Sequence, residues 1–195
     1  MAVGASATEP RLARPAGFYH ASYLRALAEY QVEGLLLDVS AAALADPLEF
    51  AHYVAALVGE ERHPGALRRY LARLSGEAPP PVPNGGYVPQ TTLWWVAGDE
   101  YLGRISIRHH LSPRLRRRGG HIGYDVRPSA RLQGHATAML AAALPLAATL
   151  GVDPACIDCE SGNVGSRRVI EKNGGYLRVG DGEWLYYYVP TTIRP

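Results

Sequence analysis

The stretch His121–Leu150, HIGYDVRPSARLQGHATAMLAAALPLAATL, leaves the chain few options, because its hydrophobic period changes once, from that of a strand to that of a helix. In His121–Val126, the residues Ile122, Tyr124 and Val126 share one face, and His121, Gly123 and Asp125 share the other. Pro128 removes a backbone donor and ends the pairing. From Gln133 onward, Ala136, Met139, Leu140, Ala143, Leu144, Ala147 and Leu150 recur at helical steps and form one apolar face. Between these elements lies Arg131-Leu132-Gln133-Gly134-His135-Ala136. Its small residues let the backbone approach a ligand. The helix start adds N–H groups without internal acceptors and about half a positive charge. Such a turn suits a diphosphate.

The string Val126-x-Pro128-x-x-Arg131-x-x-Gly134-x-Ala136 resembles the acyl-CoA-binding signature of the GNAT superfamily of acetyl-CoA-dependent N-acetyltransferases. With the wider GGHIGYDVRPSARLQGHATAML, and with Asn163-Val164-Gly165-Ser166-Arg167-Arg168 downstream, it looks like a bacterial branch of predicted acetyltransferases. The specific resemblance covers Thr91–Gly175. It implies a mixed, mostly antiparallel central sheet of about six or seven strands with helices on both faces. It also implies that the fourth and fifth strands splay apart, and that pantetheine pairs with backbone exposed on the fourth, here Tyr124, Asp125 and Val126. The diphosphate would then sit on the N–H groups of Gln133, Gly134, His135, Ala136 and Thr137, after Leu132, with Arg131 close by. Asn163 and Ser166 match an Asn-x-x-Ser motif whose Asn contacts the cofactor arm; Asn163 also reads as a helix cap. Acetyl-CoA is thus the expected co-substrate.

Length and composition agree with this. A chain of 195 residues, 47% hydrophobic and 19% charged, supports one soluble domain with a single substantial core. Its expected parts are a helical acceptor-side segment over 16–75, a Pro/Gly-rich loop over 76–90, and the sheet with the cofactor-binding core over 91–190. A net charge of +2 gives no reason to expect nucleic acid. Cys156 and Cys159 fall on opposite faces of one strand, poorly placed to pair, so the chain reads as reduced and cytoplasmic. A lone Cys-x-x-Cys lacks the second pair that zinc needs, and no metal is expected. The start, MAVGASATEPRLARP, has no apolar core of a secretory leader, and Ala136–Leu150 is too short to span a bilayer.

Pro10–Arg14 reads as a short first strand, and Ala16–Tyr30 as a helix ended by Gly34. Asp46-Pro47 is an N-cap followed by a first-turn proline, opening a helix to about Val58. A basic helix covers Ala66–Leu74. Gly76–Gln90 holds five prolines and three glycines and reads as a surface loop. Leu93–Ala97 and Tyr101–Arg108 form a hairpin. His109–Gly120 reads as a loop whose Arg114, Arg116, Arg117 and Arg118 are either solvated or attract an anionic substrate or the 3′-phosphate of CoA. Ala155–Glu160 is a strand, Asn163 opens a helix to about Lys172, and Arg178–Gly180 with Trp184–Val189 closes as a second hairpin.

Acetyl transfer to an amine needs an oriented thioester, a group that takes the ammonium proton, and stabilisation of the carbonyl oxygen. Asp158 matches the position of a glutamate proposed as general base in some relatives, and Glu160 lies on the same strand face. The position that carries a proton-donating tyrosine in many relatives is Ile170 here, so Tyr176, or one of Tyr186–Tyr188, is the expected substitute if an acid is used. The leading expectation is an N-acetyltransferase acting by direct attack on a primary amine of a small molecule or peptide, with no nucleic acid or membrane partner and an open question of homodimerisation. The competing expectation is a non-catalytic acyl-CoA-binding or regulatory module.

Overall fold

The structure, a computed structural model, describes residues 8–79, 81–83 and 86–192. The expectations for the first seven residues and for positions 80, 84 and 85 of the Pro/Gly-rich loop lie outside the described residues. The strands are β1 (Arg11–Ala13), β2 (Gln90–Ala97), β3 (Glu100–Arg108), β4 (Ile122–Val126), β5 (Ala155–Glu160), β6 (Tyr176–Gly180) and β7 (Trp184–Val189). The helices are α1 (His20–Val32), α2 (Ala41–Leu44), α3 (Pro47–Gly59), α4 (Ala66–Ser75), α5 (Pro113–Arg117), α6 (His135–Thr149) and α7 (Val164–Lys172).

The first sheet runs β1-β2-β3-β4 and the second β5-β7-β6, every ladder antiparallel. The expected single sheet of about six or seven strands is therefore corrected to two sheets among the described residues. Two local features account for the break. Gly120 has φ +52, and a Cβ there would lie 2.5 Å from the Cys156 carbonyl oxygen, so the chain enters β4 pressed against β5. The His121 N–H then bonds Cys156 O at 2.7 Å, but the Cys156 N–H turns to His121 Nδ1 at 2.9 Å. A side chain takes the donor that a ladder would have used, and pairing between β4 and β5 stops after this contact. The two strands meet at their starts and part beyond.

Alternation along β2 explains the layers. Leu93 and Trp95 join Ile105, Ile107, Ile122 and Val126 under α6, whereas Trp94 and Val96 join Tyr101 under α1 and α3. A bulge resets the faces of β3: Trp95 pairs with Gly103 and Val96 with Tyr101, leaving Leu102 unpaired. Arg104 is thereby turned toward the α1 side. The first layer is aromatic, with Tyr23 stacked on Trp94 at 5.2 Å and its hydroxyl 2.6 Å from that of Tyr53. Aromatic pairs of this kind contribute about 0.5–1.5 kcal/mol each beyond burial. On the second layer α6 buries Met139, Leu140, Ala143, Leu144 and Ala147, most of the face expected from its period. Burial of each large aliphatic or Met side chain stabilises by about 1.5–3 kcal/mol.

Caps set the helix ends. Asp46 Oδ1 accepts from Leu48 N and Glu49 N, both at 2.9 Å, with Pro47 in the first turn. The segment expected to be a helix from Ala16 starts as a 3-10 turn, Gly17–Tyr19, before α1. In the stretch expected to be a loop, Ser112 caps α5, with Pro113 in its first turn. No helix is long and apolar enough to cross a membrane among the described residues.

Candidate active site

The strand–turn–helix unit builds one half of the site. After β4 the chain makes a 3-10 turn, Pro128–Ala130, then passes through Leu132 at φ +62 and Gly134 at φ +85. A left-handed conformation costs a residue with a Cβ roughly 1–2 kcal/mol, so Leu132 carries local backbone strain. Its side chain is fully exposed, so no burial offsets the cost. The first α6 hydrogen bond is Ala138 N to Gly134 O. The main-chain N–H groups of Leu132, Gln133, Gly134, His135, Ala136 and Thr137 have no acceptor among the described residues. Donors left open at a helix start with two left-handed residues before it form an anion nest. A Cβ on Gly134 would meet nothing within 4 Å, so the space above the nest is open. His135 Nδ1 accepts from Trp95 Nε1 at 3.3 Å, which puts the ring proton of the neutral form on Nε2. The Thr137 carbonyl accepts from Asn173 Nδ2 at 3.2 Å, tying α6 to α7.

Two carboxylates, Glu29 in α1 and Glu33 at its C-cap, hold this turn from outside. Glu29 accepts from Arg127 Nη2 and Nε, from Ser129 N at 2.9 Å and from Ser129 Oγ at 3.0 Å. The Arg127 bonds hold its carboxyl at about 2, well below the usual range. One helical turn on, Glu33 takes both η-nitrogens of Arg131 at 2.8 Å, and Arg131 Nε binds Val126 O at 3.0 Å. Arg131 therefore holds the turn, its guanidinium engaged within the protein.

The strand β4 supplies the second surface. Arg127 N bonds Leu102 O and Arg108 N bonds His121 O. In the alternation of an antiparallel ladder, Gly123 and Asp125 then face β3, and the main-chain groups of Ile122, Tyr124 and Val126 face β5. Beyond the His121–Cys156 contact nothing in β5 takes them up, and Val126 O is held by Arg131. Tyr124 thus offers both its N–H and C=O to the cleft. The Asp125 side chain points the other way, accepting from Tyr30 Oη at 2.6 Å and Arg104 Nε at 2.7 Å. Across the cleft, Tyr124 Oη lies 2.8 Å from Ser166 Oγ, and burial pushes the phenol up to about 12. Asn163 Oδ1 accepts from Ser166 N at 2.9 Å, so Asn163 caps α7.

The carboxylates of β5 are not equivalent. Asp158 Oδ2 accepts from Gly119 N at 2.8 Å, and Oδ1 has no partner among the described residues. Glu160 ends the strand, exposed and with no side-chain bond among the described residues. Tyr176 pairs with Tyr188, which pairs with Cys156, so it stands two strands from the cleft edge, about 10 Å at ordinary strand spacing. Ile170 is fully buried and has Gly175 packed against it. His121 is held below its usual value by burial and by Arg116, and its Nδ1 is occupied by Cys156 N.

Beside the cleft, on the α1 side of β3, is a cavity of ≈ 740 Å³. Arg104 and Arg108 form part of its floor; Tyr53 and Leu67 stand on its helical wall, and Leu115 of α5 on its far side. Sequence reasoning did not single out Arg104 or Arg108, which alternation along β3 places on the face of Trp94, because the wall that closes the cavity over them comes from residues distant in the chain. Among the described residues no three His, Cys, Asp or Glu side chains cluster to hold a metal ion.

A central antiparallel sheet, a parting of β4 from β5, and open N–H groups at the start of α6 together make a cleft with main-chain donors on two sides. The sequence profile described as acetyltransferase (GNAT) domain matches residues 23–175, and the chain belongs to this family: it is an acetyl-CoA-dependent acyltransferase. Similar folds include Mycobacterium smegmatis RimJ in complex with CoA-disulfide, at 19% identity and TM-score 0.56, covering 93% of this chain and 80% of that one. The microcin C7 self-immunity acetyltransferase MccE, in complex with acetyl-CoA and AMP, is 14% identical at TM-score 0.55, covering 93% and 92%. RimL, the ribosomal L7/L12 alpha-N-protein acetyltransferase, in complex with coenzyme A, is 15% identical at TM-score 0.54, covering 94% and 93%. At such identities the likeness is one of fold. No curated protein matches the sequence.

Proposed function

We propose that the chain transfers the acetyl group of acetyl-CoA to a primary amine by direct attack while both substrates are bound. The observation that carries the reading is the run of unclaimed N–H groups from Leu132 to Thr137 beside a strand edge that offers Tyr124. Bound acetyl-CoA supplies an activated acyl carbon and a good leaving group. The nest holds its diphosphate, and the main-chain groups of Tyr124 and the Val126 N–H hold the pantetheine arm. Leu132 contributes through its left-handed backbone, and Asn163 and Ser166 border the arm from α7.

Asp158 Oδ1 takes the ammonium proton, directly or through a water. Its other oxygen is fixed on Gly119 N, which orients the carboxylate without using up the basic atom. Glu160, further along the same strand face, is the second candidate. The freed amine forms the C–N bond as the C–S bond breaks, and a main-chain N–H of β4 polarises the carbonyl. With Ile170 in the core, Tyr124 Oη is better placed than Tyr176 to donate a hydrogen bond to the departing sulfur. At about 12 its proton is held more tightly than that of a thiol near 8.5, so the sulfur leaves as thiolate and the phenol stays protonated.

The test is amine-dependent release of free thiol from acetyl-CoA over a panel of small amines and peptides. Turnover with at least one amine, lost in Asp158→Asn while coenzyme A binding persists, supports the reading. Thiol release that no amine accelerates contradicts it.

A further inference from the structure

The cavity beside the cleft has an unbalanced charge. Arg68, Arg104, Arg108 and Arg114 line it, and of these only Arg104 forms an ion pair among the described residues, with Asp125. Three acids also line it. The carboxylate of Glu60 is spent on Gly65 N at 3.0 Å and Leu67 N at 2.7 Å. Asp38 and Glu77 belong to the helical wall and are exposed to solvent. The floor is left to the guanidinium groups.

Arg108 is the most constrained of them. Its Nη1 is held by the carbonyl oxygens of Gly119 and Gly120, which fixes the head group, while Nε and Nη2 have no acceptor among the described residues. The only buried side-chain nitrogen or oxygen without a partner, among the described residues, is Arg167 Nε. The free nitrogens of Arg104 and Arg108 therefore open on the cavity they line. Burial, and the positive charge of Arg114 nearby, make the Arg108 cation costly, which Asp158 offsets in part. Retaining a half-buried cation with idle donors is unfavourable unless a ligand completes it. The same segment links this cation to the proposed base: Gly119 O receives Arg108, and Gly119 N reaches Asp158.

We infer that the acceptor is a small molecule carrying, besides its amine, a carboxylate or phosphate that seats on Arg108 and Arg114. This rests on the acetyltransferase reading of the cleft. A cavity of ≈ 740 Å³ is the size that encloses a small ligand. A fixed guanidinium with two free donors suits a two-oxygen anion. The anion is the shared chemistry, and the amine end projects toward Asp158.

The test pairs primary amines that differ at one terminus, bearing a carboxylate, a phosphate or a neutral amide at the same distance, together with a neutral tetrapeptide. The anionic members are expected to show kcat/KM about tenfold or more above the neutral ones. In Arg114→Gln, an exposed position, that preference is expected to collapse through the acceptor KM, with the acetyl-CoA KM unchanged. Arg108→Gln is expected to do the same and Arg108→Lys to restore part of it. Inorganic phosphate is expected to compete with the acceptor and not with acetyl-CoA. The carboxylate and phosphate arms identify the anion. Equal or better turnover of neutral amines or of the tetrapeptide, or an anion preference that survives both glutamine variants, overturns the inference and leaves the acetyltransferase reading intact. Failure of every amine to release thiol removes both.

Discussion

Gly134 allows the proposed binding of the diphosphate to be separated into shape and charge. Its φ of +85 is left-handed, and a Cβ there meets no atom within 4 Å. Replacing it with Asn costs at most about 1 kcal/mol of stability, since Asn tolerates this conformation better than other residues with a Cβ. Gly134→Asp has the same shape and adds one negative charge above the nest. At about 5 Å and an effective dielectric of about 20, that charge repels each phosphate charge by about 3 kcal/mol. The added charge also offsets the positive end of α6 that attracts the anion. Coenzyme A affinity is therefore expected to fall about a hundredfold or more from the Asn to the Asp variant. The assay is calorimetric titration of coenzyme A into both variants, with their melting temperatures as a control for folding. Affinities agreeing within about threefold, with both variants folded, would refute the placement of the diphosphate over this turn.

Other perturbations probe the parts that hold the site. Gly120→Ala, strained at φ +52 and aimed at the Cys156 carbonyl, is expected to destabilise the fold by about 2–3 kcal/mol and to lower kcat by disturbing Asp158; unchanged denaturant midpoint and turnover would exclude that contact as the junction of the sheets. The Glu29 carboxyl sits at about 2 in the fold against 4.5 when free, so its contribution is complete above pH 4.5 and is lost as pH falls toward 2. The full gap corresponds to about 3 kcal/mol. Solvent at a side chain that is 26% exposed reduces it to about 1–2 kcal/mol. Glu29→Gln is expected to lower stability at pH 7 by about that amount and to flatten the acid limb between pH 4.5 and 2, checked by urea titrations across that range. Tyr124→Phe is expected to lower kcat by about tenfold with little change in acetyl-CoA KM, because the phenol acts on the leaving sulfur; an unchanged kcat would show that the thiolate departs unaided.

The local grammar of the chain carried the strand–turn–helix unit on which the proposed cofactor half of the site is built. The change of period at Pro128, the glycine at 134 and the N-caps at Asp46 and Asn163 each act over a few residues, so they are visible in sequence. What was hidden depends on distant partners. Arg131 reads as a diphosphate ligand in its motif, yet Glu33, 98 positions away, claims its guanidinium. The division into two sheets follows from the His121 ring capturing one N–H of β5, which no periodicity encodes. The cationic floor of the cavity, where Arg104 and Arg108 share one face of β3 by simple alternation, depends on the helical wall that distant residues pack opposite it. Only α5 was legible and overlooked: Ser112-Pro113 is the same cap-and-proline signal as Asp46-Pro47, obscured by the arginines that follow.

The central claim is that unclaimed main-chain donors between Leu132 and Thr137 grip the diphosphate. Its most direct test is titration of isotope-labelled protein with coenzyme A while the backbone amide resonances are followed. The amides of residues 132–137 are expected to shift downfield and exchange more slowly with solvent as the ligand saturates. Saturable binding that leaves those amides unmoved, with the changes gathered elsewhere, would contradict the account.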